Sequence, residues 1–220
     1  PSHFESDCTR VPHRIRHVPD ADATAATSDP TPKQTGSASR DCRLAREVSD
    51  PMLVRRLVSQ DAPEYRKLRL AALRESPASF GSSYEEECDR PLVEFAALVG
   101  DTGERAFFGA FSDARLVGSV GVGRETSLKE RHKGFIRGMY VVPTARGEGI
   151  GRALLARALE FAATIANLQQ VTLAVNANNR PAIRLYKAAG FQQYGLEPMA
   201  LFVGGTFHDE IHMVKIQNAG

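Results

Sequence analysis

The stretch from Phe135 to Ala153 places the strongest constraint on how this chain can fold. It begins as a mostly apolar run typical of a buried strand, and Pro143 ends that run because proline has no N–H to donate to a sheet. A loop rich in glycine and arginine follows, and apolar residues then recur at helical spacing from Leu154 to Ile165. The stretch therefore predicts a strand, a tight loop and a helix in direct succession.

The loop carries three glycines within five residues, Gly147, Gly149 and Gly151, at the point where the helix begins. Glycine is unfavourable there unless the backbone has to approach something closely. Without Cβ atoms, successive N–H groups can point at one anion at the positive end of the helix dipole, and Arg146 and Arg152 add two charges beside them. The loop therefore predicts a site for an anion of phosphate size that carries more than one charge.

Two common phosphate loops do not fit these residues. A Walker A loop ends in Gly-Lys-Ser/Thr, whereas this one ends in Gly151-Arg152-Ala153. A dinucleotide-binding fingerprint that starts at Gly149 needs a third glycine at position 154, which is Leu154. The sequence therefore excludes both.

A second motif follows about thirty residues later. Val171–Val175 is rich in β-branched residues and predicts a strand that ends at Asn176. Asn178 and Asn179 can cap the helix that follows, and Gly190 can end that helix in the left-handed conformation. The apolar residues between these caps lie on one helical face: Ala182, Leu185, Tyr186 and Ala189.

Together the two motifs resemble the GNAT family of N-acetyltransferases, from about Met52 to Ile216. Arg146, Gly149 and Gly151 match the family's Arg/Gln-x-x-Gly-x-Gly/Ala loop. The second string, Asn176-x-x-Asn179-x-Pro181-Ala182-x-x-Leu185-Tyr186-x-x-x-Gly190-Phe191, is similar to the motif after the family's fifth strand. The order and spacing of the two motifs also agree with the family.

The resemblance implies acetyl-CoA as the acyl donor and a set of residues that bind it. These residues are Met139, Tyr140, Val141, Arg146, Gly147, Gly149, Ile150, Gly151, Arg152 and Asn179. It also implies a bulge in the strand at 139–141 that exposes a backbone N–H to the oxyanion. Tyr186 matches the general acid that protonates the departing thiolate, although an aromatic residue at helical spacing is more often part of a core.

The implied function is transfer of an acetyl group from acetyl-CoA to a primary amine of a small molecule or protein, directly within a ternary complex. A non-catalytic module that binds acyl-CoA is the alternative. No general base is assigned, since the strand residues Gly134–Gly138 include no carboxylate. Glu85, Glu86 and Glu87 or a water relay remain open as alternatives for that role.

Composition limits which partners and which cell compartment are expected for this function. The chain is 42% hydrophobic and 25% charged with a net charge of +2, so it can build a core and has no general affinity for nucleic acid. No apolar run approaches a membrane span. Its three cysteines lack metal-site spacing and suit a reducing cytoplasm, and the resemblance is compatible with a homodimer.

The chain divides into an extension and one domain. Residues 1–51 are rich in proline, serine and threonine without apolar periodicity, which predicts disorder. Residues 52–220 predict the acetyltransferase domain, an α/β (α+β) fold in the order β-α-α-β-β-β-α-β-α-β-β. This is a mixed central sheet of about seven strands flanked by about four helices.

Two local patterns complete the reading. Asp61 and Glu64 have the spacing of a capping box at the start of the first helix. His208, Glu210 and His212 alternate along the last strand, but such alternation is more often the solvated face of a strand than a zinc site, so no metal is expected. The opposite face, with Phe207, Ile211 and Met213, predicts the buried side.

Overall fold

A mixed sheet of seven strands forms the centre of the protein, in the order β1-β2-β3-β4-β5-β7-β6. The computed structural model describes residues 52–100 and 102–217, so the disorder expected for 1–51 lies outside the described residues. The predicted fold class and order of elements are confirmed, with five α-helices rather than about four because Tyr84–Glu87 forms a short helix of its own.

The strands are β1 Leu53–Arg56, β2 Arg105–Ser112, β3 Arg115–Arg124, β4 Lys133–Val141, β5 Gln170–Asn176, β6 Gln192–Val203 and β7 Thr206–Ile216. The helices are α1 Ala62–Glu75, α2 Tyr84–Glu87, α3 Leu92–Val99, α4 Ile150–Thr164 and α5 Arg180–Ala188. No helix in the described ranges has the length and apolar character that crossing a membrane requires.

Helices cover both faces of the sheet, and the strands supply side chains to each face in alternation. On β2, Ala106 and Phe108 pack in one core cluster with α4, whereas Phe107 between them packs in the other with α1 and α3. Helix α5 joins the α4 cluster through Tyr186. The helices α1 and α2 and the loop between them therefore lie on the face of the sheet opposite α4.

The sheet opens at its centre. Strands β4 and β5 form the parallel pair, and their register runs from Lys133 opposite Gln170 to Phe135 opposite Thr172. Beyond Phe135 no pairing between the two strands is present within the described residues, although β4 continues to Val141 and β5 to Asn176. The carboxyl halves of the two strands therefore splay apart and leave a gap in the sheet.

The capping box predicted at Asp61 is wrong. The Asp61 carboxylate accepts two hydrogen bonds of 2.7 Å from Arg55 and one of 2.9 Å from the Val58 N–H, and makes no cap bond to α1. A guanidinium on the neighbouring strand is a stronger partner than a backbone N–H, so it takes the carboxylate. A capping box is present instead at α2, between Ser83 and Glu86.

Candidate active site at the splayed strands

A β-bulge interrupts β4 beside the gap. Ser119 of β3 lies opposite Tyr140 and Gly121 lies opposite Arg137, so β4 contains one residue more than β3 over this interval. Gly138 takes up the irregularity with a φ of +61°, which other residues rarely adopt. The bulge that the family resemblance implied is therefore present, and it interrupts regular pairing just before Met139.

The glycine loop joins β4 to α4 as predicted. Gly149 is the N-cap of α4 with a φ of +83°, and a Cβ built on it would meet no atom within 4 Å. Its backbone angle, rather than a lack of space, therefore requires glycine. The first N–H groups of α4 have no acceptor within the helix, so they are free to bind an anion that approaches the loop.

A cavity of about 320 Å³, which we name the loop cavity, lies between this loop, β4 and α5. Nine of the ten residues expected to bind the acyl donor line it: Met139, Tyr140, Val141, Arg146, Gly147, Gly149, Ile150, Gly151 and Asn179. The tenth, Arg152, is exposed on α4 and does not line it. Asn179 also caps α5 as predicted, since its side chain accepts a hydrogen bond of 3.2 Å from the Ala182 N–H.

The Arg146 side chain is held by the protein itself. Its Nε donates to the Val141 carbonyl at 2.9 Å, and its Nη2 forms an ion pair of 2.8 Å with Glu75. Hydrogen bonds from Ser76 and Arg146 hold the pKa of Glu75 below its ordinary value. The guanidinium thus links the loop to the end of α1, a contact that the sequence did not predict.

Tyr186 lies beside the gap in the sheet. It is 5% exposed, its ring packs edge-on against Phe191 at 6.0 Å, and it lines a small cavity of about 90 Å³ between β4, β5 and α5. We name this the splay cavity. Burial raises the pKa of Tyr186 to about 12, so the hydroxyl is protonated throughout the neutral range. The residue thus contributes to the core and also reaches the gap.

A third cavity, of about 440 Å³, opens on the α1 and α2 face of the sheet. We name it the charged cavity, after the ionisable residues in its wall: Arg69, Glu125, Arg137, Tyr194, Glu210 and His212. Ser79 lines all three cavities, which therefore adjoin one another where the strands splay, and we name the three together the passage. Buried Asn176 holds the turn before Ser79 in place, because its side chain donates a hydrogen bond of 2.9 Å to the Ala78 carbonyl.

The face of β7 that was predicted to be solvated forms part of the wall of the charged cavity. Glu210 and His212 line this cavity, whereas His208 does not. The predicted buried side is correct for Met213, which is 0% exposed, and wrong for Phe207, which is 58% exposed. Phe207 lies at the turn end of the β6–β7 hairpin, where its ring packs on Phe202 at 4.7 Å.

The three glutamates considered as general bases have structural partners or face solvent. Glu87 is 3% exposed and accepts hydrogen bonds of 2.7 and 3.0 Å from Arg69. Glu86 belongs to the capping box with Ser83, and Glu85 is exposed. None of them lines the charged cavity. Glu210 does line this cavity, and the sequence signal that pointed to it was the alternation of polar residues along β7.

Comparison with known proteins agrees with this geometry. The acetyltransferase (GNAT) family matches residues 64–191, more than half of the chain. A spermidine N(1)-acetyltransferase of Vibrio cholerae is 28% identical over 120 residues, which are 54% of this chain and 68% of that protein. An N-alpha-acetyltransferase of Sulfurisphaera tokodaii is 35% identical over 97 residues, 41% of this chain, and the match spans 58% of that protein.

The fold is also known from solved structures. The crystal structure of a GNAT superfamily phosphinothricin acetyltransferase from Sinorhizobium meliloti, in complex with acetyl-CoA, superposes with a TM-score of 0.62 at 20% identity. The similarity covers 75% of this chain and 88% of that one. Family motifs, splayed sheet and loop cavity agree, and the chain belongs to the GNAT family of acetyltransferases.

Proposed function

We propose that this protein transfers the acetyl group of acetyl-CoA to a primary amine, directly, within a ternary complex. The observation that carries this proposal is the passage, with the anion-binding loop at one end and ionisable groups at the other. Such a passage allows a donor and an acceptor to meet from opposite sides of the sheet, so no covalent enzyme intermediate is needed.

The loop cavity fits the diphosphate of acetyl-CoA. A Cβ at Gly151 would lie 3.4 Å from Leu185 Cδ2 and 3.5 Å from Met139 Cε, so it would occupy the space between α4, α5 and β4 that now forms part of the cavity. The N–H groups at the start of α4 bind the phosphates, and Arg146 and Arg152 add positive charge nearby. Asn179, at the start of α5, binds the donor from the other wall of the cavity.

The remaining residues act on the acetyl group. Acetyl-CoA supplies a thioester, whose carbonyl oxygen becomes negative when an amine adds to the carbonyl carbon. The backbone beside the bulge, at Met139, Tyr140 and Val141, supplies the N–H that stabilises this oxygen. The Tyr186 hydroxyl, which is protonated at neutral pH, donates its proton to the sulfur as the thiolate leaves.

The acceptor is a primary amine of a small molecule or a peptide. The related protein of Vibrio cholerae is named for spermidine and that of Sulfurisphaera tokodaii for N-alpha-acetylation, so both kinds of amine are candidates for this chain. We further propose that the protein acts in the cytoplasm. A homodimer is supported by apolar side chains that the edge strand β6 exposes, with Leu196 at 55%, Met199 at 62% and Phe202 at 64%.

Thiol release from acetyl-CoA tests the function. Purified protein is incubated with acetyl-CoA and one amine at a time: spermidine, an alanine-initiated peptide, phosphinothricin or an aminoglycoside. The acetylated amine and the thiol released from acetyl-CoA should form in equal amounts. Tight binding of acetyl-CoA with no thiol release for any of the amines would favour the non-catalytic alternative.

A chain that starts at Met52 should retain donor affinity and turnover, since we propose that residues 52–220 carry the activity.

A further inference from the structure

The cationic side chains of the charged cavity have carboxylate partners. Arg69 pairs with Glu87 at 2.7 Å, and its guanidinium lies 4.8 Å from the centre of the Phe80 ring. Arg137 pairs with Glu125 at 3.1 Å. These two pairs leave no surplus positive charge in the wall, so they do not favour an anionic ligand.

Glu210 differs from the other carboxylates of this wall. It is half-buried on β7, opposite Asn176 of β5, where β5 ends beside the gap. Its neighbour His212 is bonded at 2.9 Å to Glu197, which lies opposite Glu210 on β6. Within the described residues, no hydrogen bond or ion pair engages the Glu210 carboxylate. A half-buried carboxylate that faces a cavity and receives no hydrogen bond favours a cationic ligand in that cavity.

Glu210 also lies on the passage that leads to the acetyl group. The charged cavity shares Ile136, Gly138 and Ala174 with the splay cavity, and Tyr186 lines the splay cavity from the α5 side. The cavity that Glu210 lines therefore adjoins, at the gap between β4 and β5, the cavity that Tyr186 lines. Glu210 belongs to the charged cavity and Tyr186 to the α5 side of the splay cavity, an arrangement that suits an acceptor-side base and a donor-side acid.

We propose that Glu210 binds the ammonium group of the acceptor and takes its proton, and so selects for cationic amines. This inference rests on the proposed acetyl transfer. The ammonium gives one proton to the Glu210 carboxylate, which passes it to solvent. The neutral amine then adds to the carbonyl carbon, and the carbon–sulfur bond breaks as the sulfur receives a proton from Tyr186. Nitrogen loses its second proton to solvent and Tyr186 regains one from solvent, so the net release is one proton per turnover.

The electrostatic surroundings suit this role. Burial raises the pKa of Glu210, the nearby His212 lowers it and Glu197 raises it, with a net shift above the ordinary value of a glutamate. A carboxylate with a raised pKa accepts a proton more readily at neutral pH. The ionisable groups that surround it are Arg69 on α1, Glu125 after β3, Arg137 on β4, Tyr194 and Glu197 on β6, and His212 on β7.

Binding provides a test that does not depend on turnover. Spermidine and an alanine-initiated peptide are titrated calorimetrically into wild-type protein and into Glu210→Gln. Asp209→Asn is the matched control, because Asp209 is the neighbouring carboxylate on β7, accepts a hydrogen bond from the Met199 N–H and does not line the cavity. We expect at least one amine to bind wild type and Asp209→Asn, and to bind Glu210→Gln at least about tenfold more weakly. Binding of neither amine by wild type, or equal affinity of Glu210→Gln, would overturn the inference.

Kinetics provide the second readout. For an amine that wild type acetylates, Glu210→Gln should lower kcat by about 10²-fold or more, and the pH profile of kcat/KM should lose the limb set by the carboxylate. With trifluoroethylamine as the acceptor, Glu210→Gln should lower kcat far less, because this much weaker base is already neutral. An equal loss for both kinds of amine, or the same loss in Asp209→Asn, would show that Glu210 acts only through structure or general charge.

The two proposals fail differently. If no amine releases thiol with wild-type protein, the proposed transfer fails, while the titrations still decide whether Glu210 binds cations. If wild type transfers acetyl groups and Glu210→Gln keeps its kcat and its acceptor affinity, the transfer stands and the role of Glu210 is wrong. Acetyl-CoA affinity should be equal in all three proteins, because Glu210 does not line the loop cavity.

Discussion

Glu75 at the end of α1 and Arg146 in the glycine loop form an ion pair with an N–O distance of 2.8 Å. The guanidinium also lies 5.6 Å from the centre of the Tyr140 ring. The charge expected to meet the phosphates is therefore shared with a carboxylate that repels them. This pair connects the helix on the acceptor face of the sheet to the donor loop.

Removal of that carboxylate should strengthen donor binding. Glu75→Gln should increase acetyl-CoA affinity by about two- to fivefold, the range that a partly exposed ion pair of up to ~1 kcal/mol can supply. Arg146→Gln should decrease it. Calorimetric titration at low and high salt measures both, and the gain in Glu75→Gln should shrink with salt. A lower affinity in Glu75→Gln would show that Glu75 is needed to position Arg146.

Gly151→Ala should separate stability from donor binding. The Cβ makes ordinary contacts of 3.4 Å or more and the family motif allows alanine here, so the fold accepts Gly151→Ala, and alanine is favoured over glycine in a helix by about 0.5–1 kcal/mol. Gly151→Ala should therefore gain stability and keep most of its donor affinity, whereas the branched side chain of Gly151→Val fills the loop cavity and should lower acetyl-CoA affinity at least about tenfold. Thermal unfolding and titration on one preparation test this.

Gly149 is less informative for the same purpose, because its φ of +83° makes any side chain strained. A further control is Ala156→Gly on the exposed face of α4, which should lower stability and leave donor affinity unchanged. Undiminished affinity in Gly151→Val would contradict the assignment of the loop cavity to the phosphates.

Tyr186→Phe should lower the rate of transfer more than it lowers stability. The ring packing against Phe191 is kept, and the hydroxyl that donates to sulfur is lost. We expect the single-turnover rate to fall by about 10²-fold or more with donor affinity unchanged. Stability should change by no more than about 1 kcal/mol. A full rate with a lowered melting temperature would assign Tyr186 to the core alone.

Glu87 should be required for stability. Burial is the largest single influence and raises its pKa, but the hydrogen bonds and charge of Arg69, together with Ser82 and Arg90, outweigh burial and hold the pKa below the ordinary value. Glu87→Ala would leave the Arg69 guanidinium without its partner, which typically destabilises a protein by about 3 kcal/mol. The exposed Glu85→Ala on the same short helix should change the free energy of unfolding by less than ~0.5 kcal/mol. Urea unfolding of both variants measures the difference.

Stability should decline at high pH because two tyrosines are buried. Burial raises the pKa of both Tyr65 and Tyr186 to about 12. In the unfolded chain tyrosine ionises near pH ~10, so above that pH the unfolded state binds fewer protons and is favoured. Each tyrosine then removes up to about 1.4 kcal/mol per pH unit until the folded pKa is reached.

This prediction is checked by the difference between wild type and the Tyr65→Phe/Tyr186→Phe variant in urea unfolding at pH 9 and pH 11. Other groups that titrate in this range contribute equally to both proteins and cancel. The stability of wild type should fall more steeply than that of the variant. Parallel pH profiles would show that both hydroxyls reach solvent.

The glycine loop is a part of the structure that local sequence predicts correctly. Strand, Pro143, left-handed Gly149 and α4 are all encoded within twenty residues, because backbone angles and helix periodicity depend on neighbours in the chain. The same holds for the Asn179 cap and for Gly190, whose φ is +90°. The fold class and nine residues of the loop cavity could therefore be predicted from the sequence.

The acceptor side depended on the tertiary structure. Glu125 follows β3, Arg137 lies on β4 and Glu210 lies on β7, and they meet because β5 lies between β4 and β7 and because β4 and β5 splay. The alternation along β7 marked one polar face, but only the order of the strands decides whether such a face meets water or a cavity. The partners of Asp61 and Arg146 were decided in the same way, since a charged side chain pairs with the opposite charge that folding brings nearest, and that charge lies outside the local motif.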